Sequence, residues 1–366
     1  MRLGREELLG LHAELVATPS LSGEERAVAD LVAGRLATHG VVCERIGESL
    51  LALVGSGPLL LLDSHLDTVP PAPGWQRDPF TPTRAAGRVY GLGANDAKAS
   101  VAAMLAAFLE CAGAGTGITL GLALVAQEET KSQGTRDVLD RLQARGVPVA
   151  GAVFGEPTGL DLAVAQKGLI VLELLARGEA AHAAHARALG APNAARLLAR
   201  DLVALEGLDL GEHPELGPTT LEPTVVSAGS ARNVVPAEAS AILDVRAVPG
   251  IAPEAIAAKV RAQVAGEVKV VSDRFAPRQT PAGSALLAAA RAARPGARAY
   301  GSATLSDWAL LPPDVPGIKV GPGRSERSHT PDEYVLEQEV VDGAAFYADL
   351  VRAFAAEVAK REAGAA

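Results

Sequence analysis

Residues 59–70 read LLLLDSHLDTVP, an apolar run that stops abruptly on His65 and Asp67. Four consecutive leucines with no polar face fit a strand buried on both sides better than a surface helix. Similar runs recur at 50–54 (LLALV), 118–126 (ITLGLALVA) and 151–155 (GAVFG), and stretches with helical spacing at 5–16, 23–38 and 135–145 are interspersed with them. Strands buried on both faces and alternating with helices predict a mixed, mainly parallel α/β sheet covered by helices on both sides. Residues 68–87, rich in proline and glycine, read as a long loop.

From residue 168 the pattern changes. A strand-like LIVLELLARG (169–178) leads to a helix at 190–206. Strands follow at 224–229 (TVVSAG) and 240–248 (SAILDVRAV), then a helix at 252–265 and a strand at 268–273 (VKVVSD). The order β-α-β-β-α-β is the ferredoxin-like pattern. The expectation is a larger α/β domain made of 1–167 and 276–366, with a smaller α+β domain, 168–275, inserted into it.

Composition narrows the function. Hydrophobic residues make up 48% of the 366, enough for sizeable cores. A net charge of −9 without a Lys/Arg-dense stretch argues against nucleic acid or an anionic membrane as partner. No window approaches the ~18 apolar residues of a membrane span. The N-terminal segment carries Glu6 and Glu7 and reads as a surface helix rather than a signal peptide. Cys43 and Cys111 lie outside any CxxC, which excludes a disulfide scaffold or thiolate cluster and fits a cytoplasmic location.

The chemistry-bearing residues gather where apolar strands end, and in open α/β sheets sites form there. His65 closes its strand, and Asp67, two residues on, faces the same side and is placed to brace the other ring nitrogen or a neighbouring group. Asp96 follows a glycine-rich loop (GLGAND), where it also fits an N-cap. Glu128 and Glu129 follow the strand at 118–126, and adjacent residues there point opposite ways; such a pair also fits a solvated turn. Glu156 ends the strand at 151–155, and His329 follows a Gly-Pro-Gly loop. Together these form a His/Asp/Glu donor set without cysteine, suited to zinc, cobalt or manganese. Two divalent ions sharing one carboxylate would take His65, Asp96 and Glu156 on one side and Asp96, Glu129 and His329 on the other, leaving Glu128 as an unligated base. His12, His39 and His213 read as structural or solvated, and His185 as a surface residue.

In this order and spacing, TPSLSGEE (18–25), SHLDTVP (64–70), GLGANDAK (91–98), EET (128–130), GEPT (155–158), AAHA (180–183), ARNVVPAEASAILDVR (231–246), SD (306–307) and GPG…SHTPDEYV (321–335) make the chain similar to the M20 metallopeptidases and amidohydrolases. The nearest branch is that of acetylornithine deacetylase and succinyl-diaminopimelate desuccinylase. The resemblance implies the same ligand set, with Asp67 and Glu128 among the catalytic residues, and makes 168–275 a lid that often mediates a homodimer. It also implies that His182 polarises the scissile carbonyl, commonly from the other subunit, and that Asn233 and Arg246 lie near the substrate. Alternation in SAILDVRAV puts Leu243, Val245 and Ala247 toward the lid's core and Arg246 on the polar face, where it can grip a carboxylate or pair with Asp244. One departure is DAKAS (96–100), where many relatives carry glycines after the lysine.

The implied reaction is hydrolysis of the amide bond of a small N-acyl amino acid, with N-acetylornithine or N-acetylcitrulline first. Alternatives are lysine or ornithine release from an amino-group carrier protein, N-succinyl-diaminopimelate, and dipeptidase or carboxypeptidase substrates. From another class, a non-catalytic binder on the same fold is disfavoured by the intact ligand positions and Glu128.

Overall fold

The structure, a computed structural model, describes residues 2–113 and 115–365; the first and last residues of the expected larger domain lie outside the described residues. Its chain contacts form two compact units. One comprises the chain through Val164, Gln279–Tyr300 and everything from Ser306 onward; the other comprises Ala165–Arg278 with Gly301–Leu305.

A nine-stranded sheet is the main sheet of the first unit. Its centre is four mutually parallel strands, in the order Thr119–Val125, Leu59–His65, Val149–Phe154 and Gly317–Lys319. Antiparallel strands flank them, Ser49–Gly55 on one side and Leu162–Gln166 on the other. The leucine run shows why both faces are covered. Leu60 and Leu62 join one core with Met104, Phe108 and Leu350, from the helices Lys98–Cys111 and Glu337–Ala365. Leu59 and Leu61 join the opposite core with Val138, Leu142 and Trp308. Period-two alternation thus splits four identical side chains between two helical layers, and a polar substitution in the run would be buried on either side.

The expected loop at 68–87 contains a short strand, Thr83–Ala85, which pairs with Arg88–Tyr90; Tyr334–Leu336 completes a three-stranded sheet. Its three-residue strands are too short to leave a periodic signature.

In the second unit the strands lie in the order Thr220–Ala228, Glu238–Ala247, Gly168–Arg177, Glu267–Phe275, all antiparallel. This is the ferredoxin-like arrangement. Its core takes Leu172 and Leu174, Leu243 and Val245, and Leu198 and Ile256 from the two helices Ala194–Ala204 and Pro253–Gln263. No helix of the described residues is long and apolar enough to cross a membrane.

Candidate metal centre

The parallel strands of the first unit deliver their polar ends to one place. His65 is the last residue of its strand and is buried. Its Nδ1 lies 2.9 Å from the backbone carbonyl of Asp67. A carbonyl only accepts, so Nδ1 carries the hydrogen and Nε2 is turned toward Asp96 Oδ1, 3.2 Å away. His329, on a left-handed backbone (φ 59°), puts Nε2 2.9 Å from Glu129 Oε1 and 3.9 Å from Asp96 Oδ2. Donor atoms come within 4.8 Å of one another in the set His65, Asp96 and Glu156, and again in the set Asp96, Glu129 and His329; Asp96 is common to both. A third such set is His65, Glu128 and Glu129.

The charge balance of this cluster fits cations. Burial, then the charge of Asp96, pushes Glu156 up to about 8. Burial also drives Glu128 well above the usual carboxylate range, with Asp307 and Glu156 adding to it. Burial opposes the charged form of His65, yet the carboxylates of Asp96 and Glu128 hold its affinity for a proton well above normal. Carboxylates crowded in a dry site this way call for positive charge, and hard oxygen and imidazole donors suit divalent metal ions.

Buried side chains behind the donors fix the loops that carry them. Asp67 accepts the Glu128 N–H at Oδ1 (3.0 Å) and the Glu129 N–H at Oδ2 (3.2 Å), and Ser22 Oγ donates to Oδ2 at 2.6 Å. Its role is therefore twofold: the backbone carbonyl orients His65, and the carboxylate holds the two glutamates. Glu333 accepts the N–H groups of Asn95 (2.8 Å) and Asp96 (2.9 Å) at Oε1 and that of Gly93 (3.0 Å) at Oε2. Asn95 ties the Asp96 loop to the His329 loop, donating from Nδ2 to the Arg324 carbonyl at 3.0 Å and to Ser328 Oγ at 3.2 Å. Near Glu128, Thr135 Oγ1 donates to Asp307 Oδ2 at 2.5 Å.

The second unit holds the other three expected residues. His182 is exposed, on a two-residue strand that pairs with Val234–Val235; the Asn233 carbonyl accepts the N–H of Ala183 at 2.9 Å. The structure thus brings His182 and Asn233 together on one ribbon. His185 is exposed, its ring centroid 5.5 Å from that of His182. Arg246 stands apart from this ribbon on the four-stranded sheet, where it grips Asp244 through Nε–Oδ1 (2.8 Å) and Nη2–Oδ2 (3.1 Å). Leu243, Val245 and Ala247 are fully buried on the other face, as alternation requires.

Residues 61–353 match the model of peptidase family M20/M25/M40. The chain belongs to the M20 family. A succinyl-diaminopimelate desuccinylase of Bordetella avium is 34% identical over 270 residues, covering 69% of this chain and 71% of the relative. The aminopeptidase PepT of Bacillus cereus superposes with a TM-score of 0.79 at 19% identity, over 96% of this chain and 99% of that one. The YxeP protein of Bacillus subtilis, described as a dinuclear metal-binding peptidase of the M20 family, gives a TM-score of 0.72 at 17% identity, over 95% and 97%. As an M20 member the chain is a metal-dependent hydrolase of amide bonds. Around these candidate donors stand Glu25, Asn95, Asp307 and Glu333, which the sequence does not mark as site residues. Glu25, Asp307 and Glu333 sit in the motifs SGEE, SD and PDEY, but they act on backbone N–H groups or a hydroxyl, and spacing does not reveal that.

Proposed function

We propose that the chain hydrolyses the amide bond of a small N-acyl amino acid, using two divalent ions, zinc in the first instance. The observation that carries this reading is the sharing of Asp96 by two donor sets, with Glu128 beside them. His65, Asp96 and Glu156 would hold one ion and Asp96, Glu129 and His329 the other. Such a pair acidifies water and polarises an acyl oxygen. Glu128 takes the proton of the attacking water and returns it to the leaving nitrogen, so the peptide C–N bond breaks as a free amine and a carboxylate form. Asp67 keeps Glu128 and Glu129 on their separate tasks through their N–H groups. His182, with Asn233 beside it, is our candidate for stabilising the oxyanion, and Arg246 for the substrate carboxylate, in exchange for its Asp244 partner.

Sequence reading puts N-acetylornithine first. The similarity to a desuccinylase favours a second reading, an N-succinyl amino acid such as succinyl-diaminopimelate. Zinc- or cobalt-reconstituted protein offered acetylornithine, acetylcitrulline, succinyl-diaminopimelate and dipeptides separates the two by kcat/KM. Glu128→Gln should keep both metals and lose roughly 10²–10⁴-fold in kcat. Loss of a metal in that variant, with Glu129→Gln retaining both, would reverse the two roles. We also propose a homodimer through the 168–275 module. It is supported by the edge strand Thr220–Ala228, where Val225 and Val226 are 57% and 58% exposed. Light scattering that gives an active monomer would remove it.

A further inference from the structure

Three successive N–H groups, those of Gln127, Glu128 and Glu129, each point at a buried carboxylate. Asp67 takes the last two. The first goes to Glu25, whose Oε1 accepts the Gln127 N–H at 3.1 Å and also the Gly23 N–H at 2.8 Å. Glu25 is fully buried, and its Oε2 has no hydrogen-bond partner among the described residues. It stands at the N-cap of the helix Arg26–Thr38, a position that short Ser, Thr, Asp or Asn side chains usually cap, and its own side chain makes no cap bond there. The side chain reaches instead to a loop about a hundred residues away. Gln127 is left-handed (φ 62°), a conformation disfavoured for a residue with a β-carbon and kept only when its surroundings fix it. Burying a carboxyl group with one oxygen idle is costly, so the other oxygen must return something.

We propose that Glu25 is a positioning residue for the reaction. By joining the turn at Gly23 to the Gln127 N–H, it holds Gln127 left-handed and so sets the direction in which the chain enters Glu128 and Glu129. One side chain is then kept beside His329 as a donor and the other stays free as the base. This rests on the reading of Glu129 as ligand and Glu128 as base.

Three variants dissect it. Glu25→Gln keeps an acceptor oxygen where Oε1 stands and puts its amide nitrogen at the idle position. Glu25→Asp keeps the charge but is one methylene short of Gln127, and Glu25→Leu removes both. Each is reconstituted with Co(II), whose absorption spectrum reports the ligand field without turnover. Glu25→Gln should keep kcat within about threefold and leave the cobalt spectrum unchanged. Glu25→Asp and Glu25→Leu should lower kcat tenfold or more, with KM within twofold and an altered spectrum. A folded Glu25→Asp protein with native kcat and spectrum overturns the proposal. So does a Glu25→Gln protein as impaired as Glu25→Asp, or a Glu25→Asp chain that does not fold, which would make the role purely structural. Glu128→Gln, run alongside, separates the two failures. If it stays active, the base assignment is wrong; if it is inactive while Glu25→Asp is normal, only the positioning role falls.

Discussion

Buried carboxylates that accept backbone N–H groups do as much to build this site as the donors themselves. Glu333 meets three N–H groups around Asp96, and a glutamine there must aim its NH₂ at one of them. Setting donor against donor in a buried place costs about 1–3 kcal/mol. Glu333→Gln should therefore weaken zinc binding by roughly 10–100-fold, the usual scale for residues that orient ligands. Competition against a chromophoric chelator measures this, and unchanged affinity would relieve Glu333 of the role. His12 offers a test away from the metal centre. Its Nε2 donates to the Ala94 carbonyl at 2.8 Å, Nδ1 has no partner among the described residues, and burial holds its pKa down to about 4 from an ordinary 6.5. The unfolded chain takes up this proton near pH 6.5 and the native protein only near 4. Stability is thus untouched above pH 6.5, is lost as the pH falls from 6.5 toward 4, and levels off below. At about 1.4 kcal/mol per pH unit the loss is roughly 3 kcal/mol. Urea titrations at pH 7 and 4 should show wild type losing that much more than His12→Gln; equal losses would mean His12 does not titrate as described. Among the candidate donors, His65, Glu129 and Glu156 were legible because they close or follow buried strands, and Asp96 and His329 because of the glycine-containing loops before them. Glu333 and His12 were not, because their roles depend on where a distant backbone turns a carbonyl or an N–H.

At the scale of elements, the long buried strands could be read directly and the short ones could not. Leu59–His65 announces itself by composition. Gly317–Lys319 is three residues long and is a strand because Val149–Phe154 lies parallel on one side of it and Leu162–Gln166 antiparallel on the other. The helix Lys98–Cys111 shows a different kind of dependence. Ala99 and Ser100 stand where the family resemblance leads one to expect glycine, and room for Ser100 comes from glycines across the contact. A Cβ added to Gly155 would lie 2.8 Å from Ser100 Cβ and 2.9 Å from Met104 Cε; one added to Gly321 would lie 2.5 Å from Ser100 Oγ. Gly155 precedes Glu156, so the fit of this helix bears directly on a donor. Gly155→Ala should cost about 1–3 kcal/mol, the range for overpacking. Much of that cost should vanish in a Ser100→Gly background, since only the flexible Met104 then needs to move. A double-mutant cycle by chemical denaturation reads the coupling. Additive effects would show that Ser100 is not what fills the space.

For the whole molecule, the division of the chain has a thermodynamic consequence. All five candidate donors, His65, Asp96, Glu129, Glu156 and His329, belong to the unit built on the nine-stranded sheet. The second unit closes its own apolar core around Leu172, Leu243 and Ile256 and supplies none of them. A ligand stabilises what it binds, by about 2.7 kcal/mol at a hundred times its Kd. Metal should accordingly raise the melting of the first unit and leave the second where it was. The chain provides its own reporter, because its two tryptophans, Trp75 and Trp308, both lie in the first unit. In chelator, far-ultraviolet circular dichroism should melt in two steps, and tryptophan fluorescence should follow the lower one alone. Zinc should move that step and the fluorescence upward together, while the second step stays in place. A single transition in chelator, coincident by both probes, would mean that the two units unfold as one cooperative body. Crowded carboxylates freed of metal would then destabilise the whole chain, and the separate cores would have no independent thermodynamic standing.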